Sequence, residues 1–275
     1  MKTILVPTDF SAGAANAMSF AVKLALKTKC KVIFFHSCYF DESGVKSGLT
    51  YEDSLRLSKE YSAKKLIAEA EKTFKSLKIS AASVKHEFVV DFSPSASDSI
   101  INTCKIKKPD LVVTGTHGAS GIKKFLFGSN TSHLISAATV PVLALPLHYK
   151  DADLETILYC ADLNNSMEEL KKIKKFNEKL GAKIEVVNID YGWALSVKER
   201  TTLHKLEKEN LLFRRVKVPM EFSLQESLNK EMKSKKHAVL CMFHEKKTGI
   251  AGFLFGGKTQ GISMALKFPL LSFPK

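Results

Sequence analysis

Gly115-Thr116-His117-Gly118, followed nine residues later by Gly128-Ser129, is the stretch whose reading decides how this chain is built. Immediately before it, Leu111-Val112-Val113-Thr114 is a continuous apolar run, which predicts a buried parallel strand. Immediately after it, Thr131-Ser132-His133-Leu134-Ile135 has helical periodicity. The stretch is therefore a strand-to-helix loop. Glycines there let the backbone approach an anion closely, and the N–H groups and positive dipole end of the following helix attract phosphate. Ser129 and Thr131 add hydroxyls at the helix start. Taken one at a time, each glycine also has a plainer reading as the residue of a tight turn. The joint spacing favours the anion loop.

A decayed copy of the loop closes the chain. Gly121-Ile122-Lys123-Lys124-Phe125-Leu126-Phe127-Gly128-Ser129 recurs as Gly249-Ile250-Ala251-Gly252-Phe253-Leu254-Phe255-Gly256-Gly257. The start repeats too, Thr3-Ile4-Leu5-Val6-Pro7-Thr8-Asp9 returning as Thr156-Ile157-Leu158-Tyr159-Cys160-Ala161-Asp162. So does the end, Val140-Pro141-Val142-Leu143-Ala144-Leu145-Pro146 returning as Phe268-Pro269-Leu270-Leu271-Ser272-Phe273-Pro274. This period is too long for a solenoid, so a whole domain is duplicated in tandem. The seam falls in the polar stretch 148–153, giving domains at 1–150 and 151–275.

Within the first half, apolar runs at 3–7, 32–37, 84–90, 111–114 and 141–145 alternate with helical periodicity near 12–28, 51–77, 95–106 and 129–138. Strict alternation of this kind predicts an α/β fold, an open five-stranded parallel sheet with helices on both faces. Ligands of such sheets bind beyond the carboxyl ends of the strands, where the strand order switches. Asp9 ends the first strand, His36 and Ser37 end the second, and the Gly115 loop follows the fourth, so three signals meet at one edge. The second half is shorter. Most of the missing length lies between its second and third strands, where the first half has its Asp41-Glu42-Ser43-Gly44 loop and the long helix after it.

At 275 residues, with 45% hydrophobic and 25% charged residues, the chain has room for about two ordinary globular cores. It begins with a short strand-like run, and no apolar segment reaches the roughly 18 residues of a membrane span, so the expectation is a cytoplasmic protein with no membrane partner. Cys30, Cys38, Cys104, Cys160 and Cys241 are odd in number and show no C-x-x-C spacing, which argues for small core hydrophobes over disulfides or zinc. The net charge of +14 raises nucleic acid as a partner. Its lysines, however, are interleaved with acids and apolar residues as on solvated helix faces, for example over 230–236. No aromatic or recognition-helix motif accompanies them, so specific nucleic-acid binding is not expected.

The Gly-x2-Gly-x9-Gly-Ser spacing, together with Pro7-Thr8-Asp9-Phe10-Ser11 after the first strand, resembles the universal stress protein family, strongly in the first half and weakly in the second. The resemblance implies Rossmann-like domains of the adenine-nucleotide alpha-hydrolase type, paired in tandem or as dimers, in a family with an ATP-binding branch and a branch that does not bind it. It places Asp9, after Pro7 and Thr8, near ribose and adenine, and Ser37 where its backbone meets the base. Gly115, Thr116, His117 and Gly118 form the turn against ribose and phosphate, and Gly128, Ser129, Asn130 and Thr131 the helix start that cradles phosphates. The implied ligand is ATP, or ADP or AMP, with magnesium as its companion. The chemistry suits the residues, since a carboxylate accepts ribose hydroxyls while backbone donors and Ser129 meet phosphate oxygens.

The second half departs from this pattern. In the sequence alignment Met242 stands at Gly115, Glu245 at Gly118 and Gly257 at Ser129, with one extra residue in the loop. The expectation is one nucleotide per chain, in the first half. No Walker lysine, kinase catalytic loop or nucleophile elbow occurs, so catalysis extends at most to slow hydrolysis. His117 is a candidate proton relay, but His244 matches it in the half with no expected nucleotide, which favours a structural origin for both. Lys123 and Lys124 are candidates for terminal phosphates or a solvated loop face. Asp91 and Asp98 flank Pro94, where Ser93 or Ser95 caps the next helix. Two functions stand side by side: a nucleotide-binding regulator in the stress response, read by an unidentified protein partner, and a non-nucleotide scaffold or small-ligand module with an inherited glycine turn. Finally, the closing strands 140–145 and 268–273 are apolar edges, and pairing them would make the chain an internal pseudo-dimer, free to form a homodimer as well.

Overall fold

The computed structural model describes residues 1–38, 50–116, 129–149, 153–244 and 268–275. In the first half the strands are β1 (Thr3–Pro7), β2 (Lys31–Cys38), β3 (His86–Phe92), β4 (Leu111–Gly115) and β5 (Val142–Leu145). Between them lie α1 (Ala12–Thr28), α2 (Tyr51–Leu77), α3 (Ala96–Lys107) and α4 (Ser129–Ala137). The second half repeats the plan with β6 (Thr156–Cys160), α5 (Ser166–Asn177), β7 (Lys183–Asp190), α6 (Val197–Lys208), β8 (Leu212–Lys217), α7 (Leu224–Lys233), β9 (Ala238–His244) and β10 (Leu270–Pro274). Where α2 has 27 residues, α6 has 12, so the shortening falls between the second and third strands as expected. The loop at 41–44 lies outside the described residues.

All ten strands form one sheet in the order β3-β2-β1-β4-β5-β10-β9-β6-β7-β8. Every pairing is parallel except the central one, where β5 and β10 run antiparallel with Leu143 opposite Leu271. The two closing strands thus pair about a pseudo-twofold axis, and neither is left as an edge. Because β5 and β10 are antiparallel, the carboxyl edges of the two halves lie at opposite ends of the sheet.

Both faces are covered, which is why strands such as Ile4-Leu5-Val6 read as unbroken apolar runs. Ile4 and Val6 pack with α1, α2 and α5 in one core, while Leu5 joins α3, α4 and α7 in the other, and each core runs through both halves. The five cysteines are buried and reduced. Ser95 caps α3 by accepting from the Asp98 N–H at 3.3 Å, and the Asp91 carboxylate accepts from Ser99, so the Asp98 backbone and the Asp91 carboxylate serve local structure. Among the described residues no helix is long and apolar enough to cross a membrane.

The ladder corrects one alignment made from sequence. Gly115 pairs with Leu145, and Phe243 pairs with Phe273, the repeat counterpart of Leu145. Phe243, not Met242, therefore stands in the place of Gly115. The count from Phe243 to Gly256 then equals that from Gly115 to Gly128, so the supposed extra residue disappears. Counted on from that pair, His244 corresponds in sequence to Thr116 and Glu245 to His117, so Glu245 no longer matches Gly118 nor His244 His117. The sequence match had followed the loop glycines, whereas backbone pairing fixes register through the neighbouring strand.

Candidate functional site

Strand order in the first half reverses between β1 and β4, which opens a crevice at their carboxyl ends. Pro7 closes β1 and is buried against β2, opposite Phe35. Thr8 is also buried; its N–H donates to the Phe35 carbonyl at 2.8 Å and its Oγ1 accepts from the Phe10 N–H at 3.0 Å. Phe10 adopts φ 64°, turning the chain sharply enough that Asp9 projects at the exposed edge. The Asp9 carboxylate also accepts from the Ser11 N–H at 3.0 Å, and Ser11 in turn caps α1.

The second strand contributes His36 and Ser37. His36 Nδ1 donates to the Thr8 carbonyl at 2.8 Å, tying the end of β2 to the loop after β1. Its ring lies 4.4 Å from that of Phe10, and the Lys65 ammonium sits 4.2 Å from the centroid of the same Phe10 ring. Burial holds the His36 imidazole below its ordinary pKa; the Thr8 carbonyl and Asp9 pull it up, and Lys65 pushes it down. Ser37 Oγ is buried and has no hydrogen-bond partner among the described residues. An orphaned buried hydroxyl carries a desolvation cost that an acceptor or donor from a ligand would relieve.

On the other side of the crevice, Gly115 ends β4. A Cβ at this position would lie 2.8 Å from both the carbonyl carbon and the oxygen of Gly13 in α1. This glycine is thus required by the close approach of helix to strand, a packing reason invisible in the loop motif. The Gly115 carbonyl accepts from Thr131 Oγ1 at 3.0 Å, so the hydroxyl at the start of α4 is spent on the backbone of the turn. Thr116 is buried, its N–H donating to the Leu145 carbonyl at 3.0 Å, and Asn130 is exposed on the first turn of α4. Ser129 is the first residue of α4. His117, Gly118, Lys123, Lys124 and Gly128 lie outside the described residues. The structure therefore brings together Pro7, Thr8, Asp9, Ser37, Gly115, Thr116 and the start of α4. His36, expected at this edge, and Phe10 of the motif join them, and the structure adds Lys65, which gave no sequence signal because only packing of α2 brings it to this edge.

The equivalent edge of the second half has been refilled. Phe243 stacks on Phe273 with centroids 5.0 Å apart and meets Tyr159 edge-on at 5.9 Å. His244 is buried, sharing a 2.7 Å hydrogen bond with Ser272 Oγ, and burial lowers its pKa. The Asp162 carboxylate, in the place of Asp9, pairs with the Lys275 ammonium at 3.0 Å.

The universal stress protein family model matches residues 1–146, more than half of the chain. The chain belongs to the universal stress protein family. A universal stress protein of Methanocaldococcus jannaschii is 30% identical over 147 residues, covering 52% of this chain and 81% of the relative. For the fold as a whole, a universal stress protein from Archaeoglobus fulgidus superposes with a TM-score of 0.68 at 14% identity, covering 99% of this chain and 96% of that one. A universal stress protein structure from Pseudomonas aeruginosa gives 0.62 at 12% identity, with 100% and 93% covered. The two-half arrangement is thus a fold that family members share from end to end.

Proposed function

We propose that the chain is an adenine-nucleotide-binding regulator of the stress response, with domains at 1–150 and 151–275 and a single nucleotide held by the first. The carrying observation is convergence: Asp9, the orphaned Ser37 hydroxyl, the Gly115 turn and the start of α4 meet at the strand-order switch of one sheet edge. In this reading Asp9 accepts ribose hydroxyls, Ser37 meets the base, and the backbone from Gly115 to Gly118 and from Gly128 to Thr131 donates to phosphates. Among the described residues no group of three His, Cys, Asp or Glu side chains is placed to hold a metal ion. A magnesium ion would therefore be carried in on the phosphates themselves. In this reading the protein works as a binder, with ATP hydrolysis at most slow.

One observation favours a second reading, a non-nucleotide scaffold or small-ligand module. Gly115 is already explained by its contact with Gly13, so it does not by itself demand a phosphate. Titration calorimetry separates the two. The nucleotide reading expects ATP or ADP to bind with micromolar affinity and Gly118→Glu to abolish binding while the melting curve stays that of the wild type. Unchanged affinity in that variant removes the glycine turn from the site, and no binding to the wild type leaves the scaffold.

A further inference from the structure

A cleft of about 660 Å3 opens where the chain leaves β5 and where it enters β9, between residues 148–149 on one wall and the end of α7 on the other. Because β5 and β10 run antiparallel, this place lies at the amino ends of β9 and β10, the opposite end of the sheet from the carboxyl ends of β6, β7 and β9. β5 and β10 also separate it from the crevice between β1 and β4. The cleft therefore corresponds to neither ligand edge of the repeat. Both of its walls are fixed. The Tyr149 N–H donates to the Pro146 carbonyl at 3.0 Å, the Tyr149 carbonyl accepts from the Asn16 amide at 2.8 Å, and its ring lies 6.3 Å from that of Phe20. Opposite, His237 holds φ 52° and its carbonyl accepts from the Glu155 N–H at 2.9 Å, which pins the turn into β9. A volume of this size between fixed walls falls in the range of preformed ligand pockets.

The lining divides by polarity. Met232, Ala238, Tyr149 and Phe268 supply its apolar part, and Met232 is an unbranched side chain that adapts to irregular apolar groups. Among the described residues the charged part is wholly cationic: Lys233, Lys235 and Lys236, beside His148 and His237, with no Asp or Glu. Lys235 is committed to the Glu185 carboxylate. Lys233 and Lys236 are exposed and make no ion pair among the described residues. Lysines at the end of a helix also answer its dipole, but Lys236 lies past the last turn of α7, where that field has fallen away. A cavity whose charges are all of one sign concentrates ligands of the other.

We propose that this cleft binds a small organic anion with an apolar body. Lys233 and Lys236 hold its carboxylate or phosphate, and its body lies against Met232, Tyr149 and Phe268. A lysine ammonium meets either head group as a point charge, so the two anions share one recognition chemistry. Charge and apolar contact are both needed, because exposed lysines alone hold a bare anion only weakly against water and salt. Binding here does not depend on a nucleotide in the first half.

The Met232 methyl reports on this cleft. The test records methyl NMR spectra of the full chain labelled at its methionine methyls, with Met232→Leu identifying the resonance, during titration with octanoate, octyl phosphate, octylamine and inorganic phosphate. Octanoate or octyl phosphate is expected to move the Met232 resonance saturably, the tighter of the two fixing the head group. Octylamine and inorganic phosphate are expected to bind at least about tenfold more weakly. Lys233→Glu combined with Lys236→Glu changes two exposed side chains, and is expected to keep the wild-type melting curve while losing at least about tenfold in affinity for the alkyl anions. The proposal is overturned if neither alkyl anion moves the resonance saturably, if octylamine or inorganic phosphate binds as tightly, or if the double variant binds like the wild type.

Discussion

The ammonium of Lys275 stands 3.0 Å from Asp162 Oδ2 and 4.0 Å from Glu169 Oε1, at the end of the sheet where the second half would open to a ligand. Asp162 and Glu169 are the repeat counterparts of Asp9 and Asn16. Asn16 uses its amide to hold the carbonyls of Pro146 and Tyr149, fastening the seam between the halves, while Asp9 projects at the exposed edge. The second of these positions anchors the linker in one half, and the two together form a buried charge cluster in the other.

Lys275 is the cation that bridges the two carboxylates, and Lys172 also acts on Glu169. Lys275→Met removes the ammonium that pairs with the Asp162 and Glu169 carboxylates, both largely buried, and is expected to lower stability by about 1–3 kcal/mol in urea denaturation. An unchanged midpoint would mean that water already screens these carboxylates.

Glu169 gives the cluster a pH dependence. Burial raises its pKa above the usual 4.5, with Asp162 adding to the rise and the Tyr159 hydroxyl and Lys275 opposing it. The folded chain thus binds this proton more tightly than the unfolded chain. Its contribution favours folding below the ordinary carboxylate pKa and is lost as pH rises through the raised value. Glu169→Gln keeps an acceptor for Tyr159 and never ionises. Its melting temperature relative to wild type is expected to climb between about pH 4 and pH 7, and a constant difference across that window would contradict the assignment.

Gly115→Ala tests the packing role of the glycine. The added methyl would meet backbone atoms of Gly13 at 2.8 Å, and backbone cannot swing aside as a side chain does. A loss of about 1–3 kcal/mol is expected from denaturant unfolding without ligand. Wild-type stability would show that α1 shifts freely away from β4.

The central pairing of β5 with β10 makes two edge strands into the middle of one sheet. Amides of 142–144 and 270–272 are therefore expected to exchange with the slowest, globally protected group. Fast exchange in both segments would show that the halves separate.

Much of this architecture was legible in the chain because parallel strands buried on both faces leave continuous apolar runs, and the repeats then say which run matches which. The bounds of β1, α1 and α2 coincide with the expected ones. Edge pairing followed from the apolar character of the last strand in each half. What stayed hidden rests on contacts between residues far apart in sequence. Gly115 needs Gly13 from across the crossover, Lys65 reaches Phe10 only through the packing of α2, and Lys275 meets Asp162 only after the sheet is assembled. The place of Phe243 was missed because a motif alignment follows loop residues, while hydrogen-bond register is set by Leu145 and Phe273 next door. At the first-half edge, Thr8, Asp9, Ser37 and Gly115 were named from motif and resemblance, and the orphaned hydroxyl of Ser37 became visible only in three dimensions.

The central claim is that one half binds an adenine nucleotide and the other, closed by Phe243, His244 and the Lys275 contact, does not. Native mass spectrometry of the full chain titrated with ATP measures this directly. The account predicts a single added nucleotide per chain at saturation. Two bound nucleotides, or none at millimolar ATP, would contradict it.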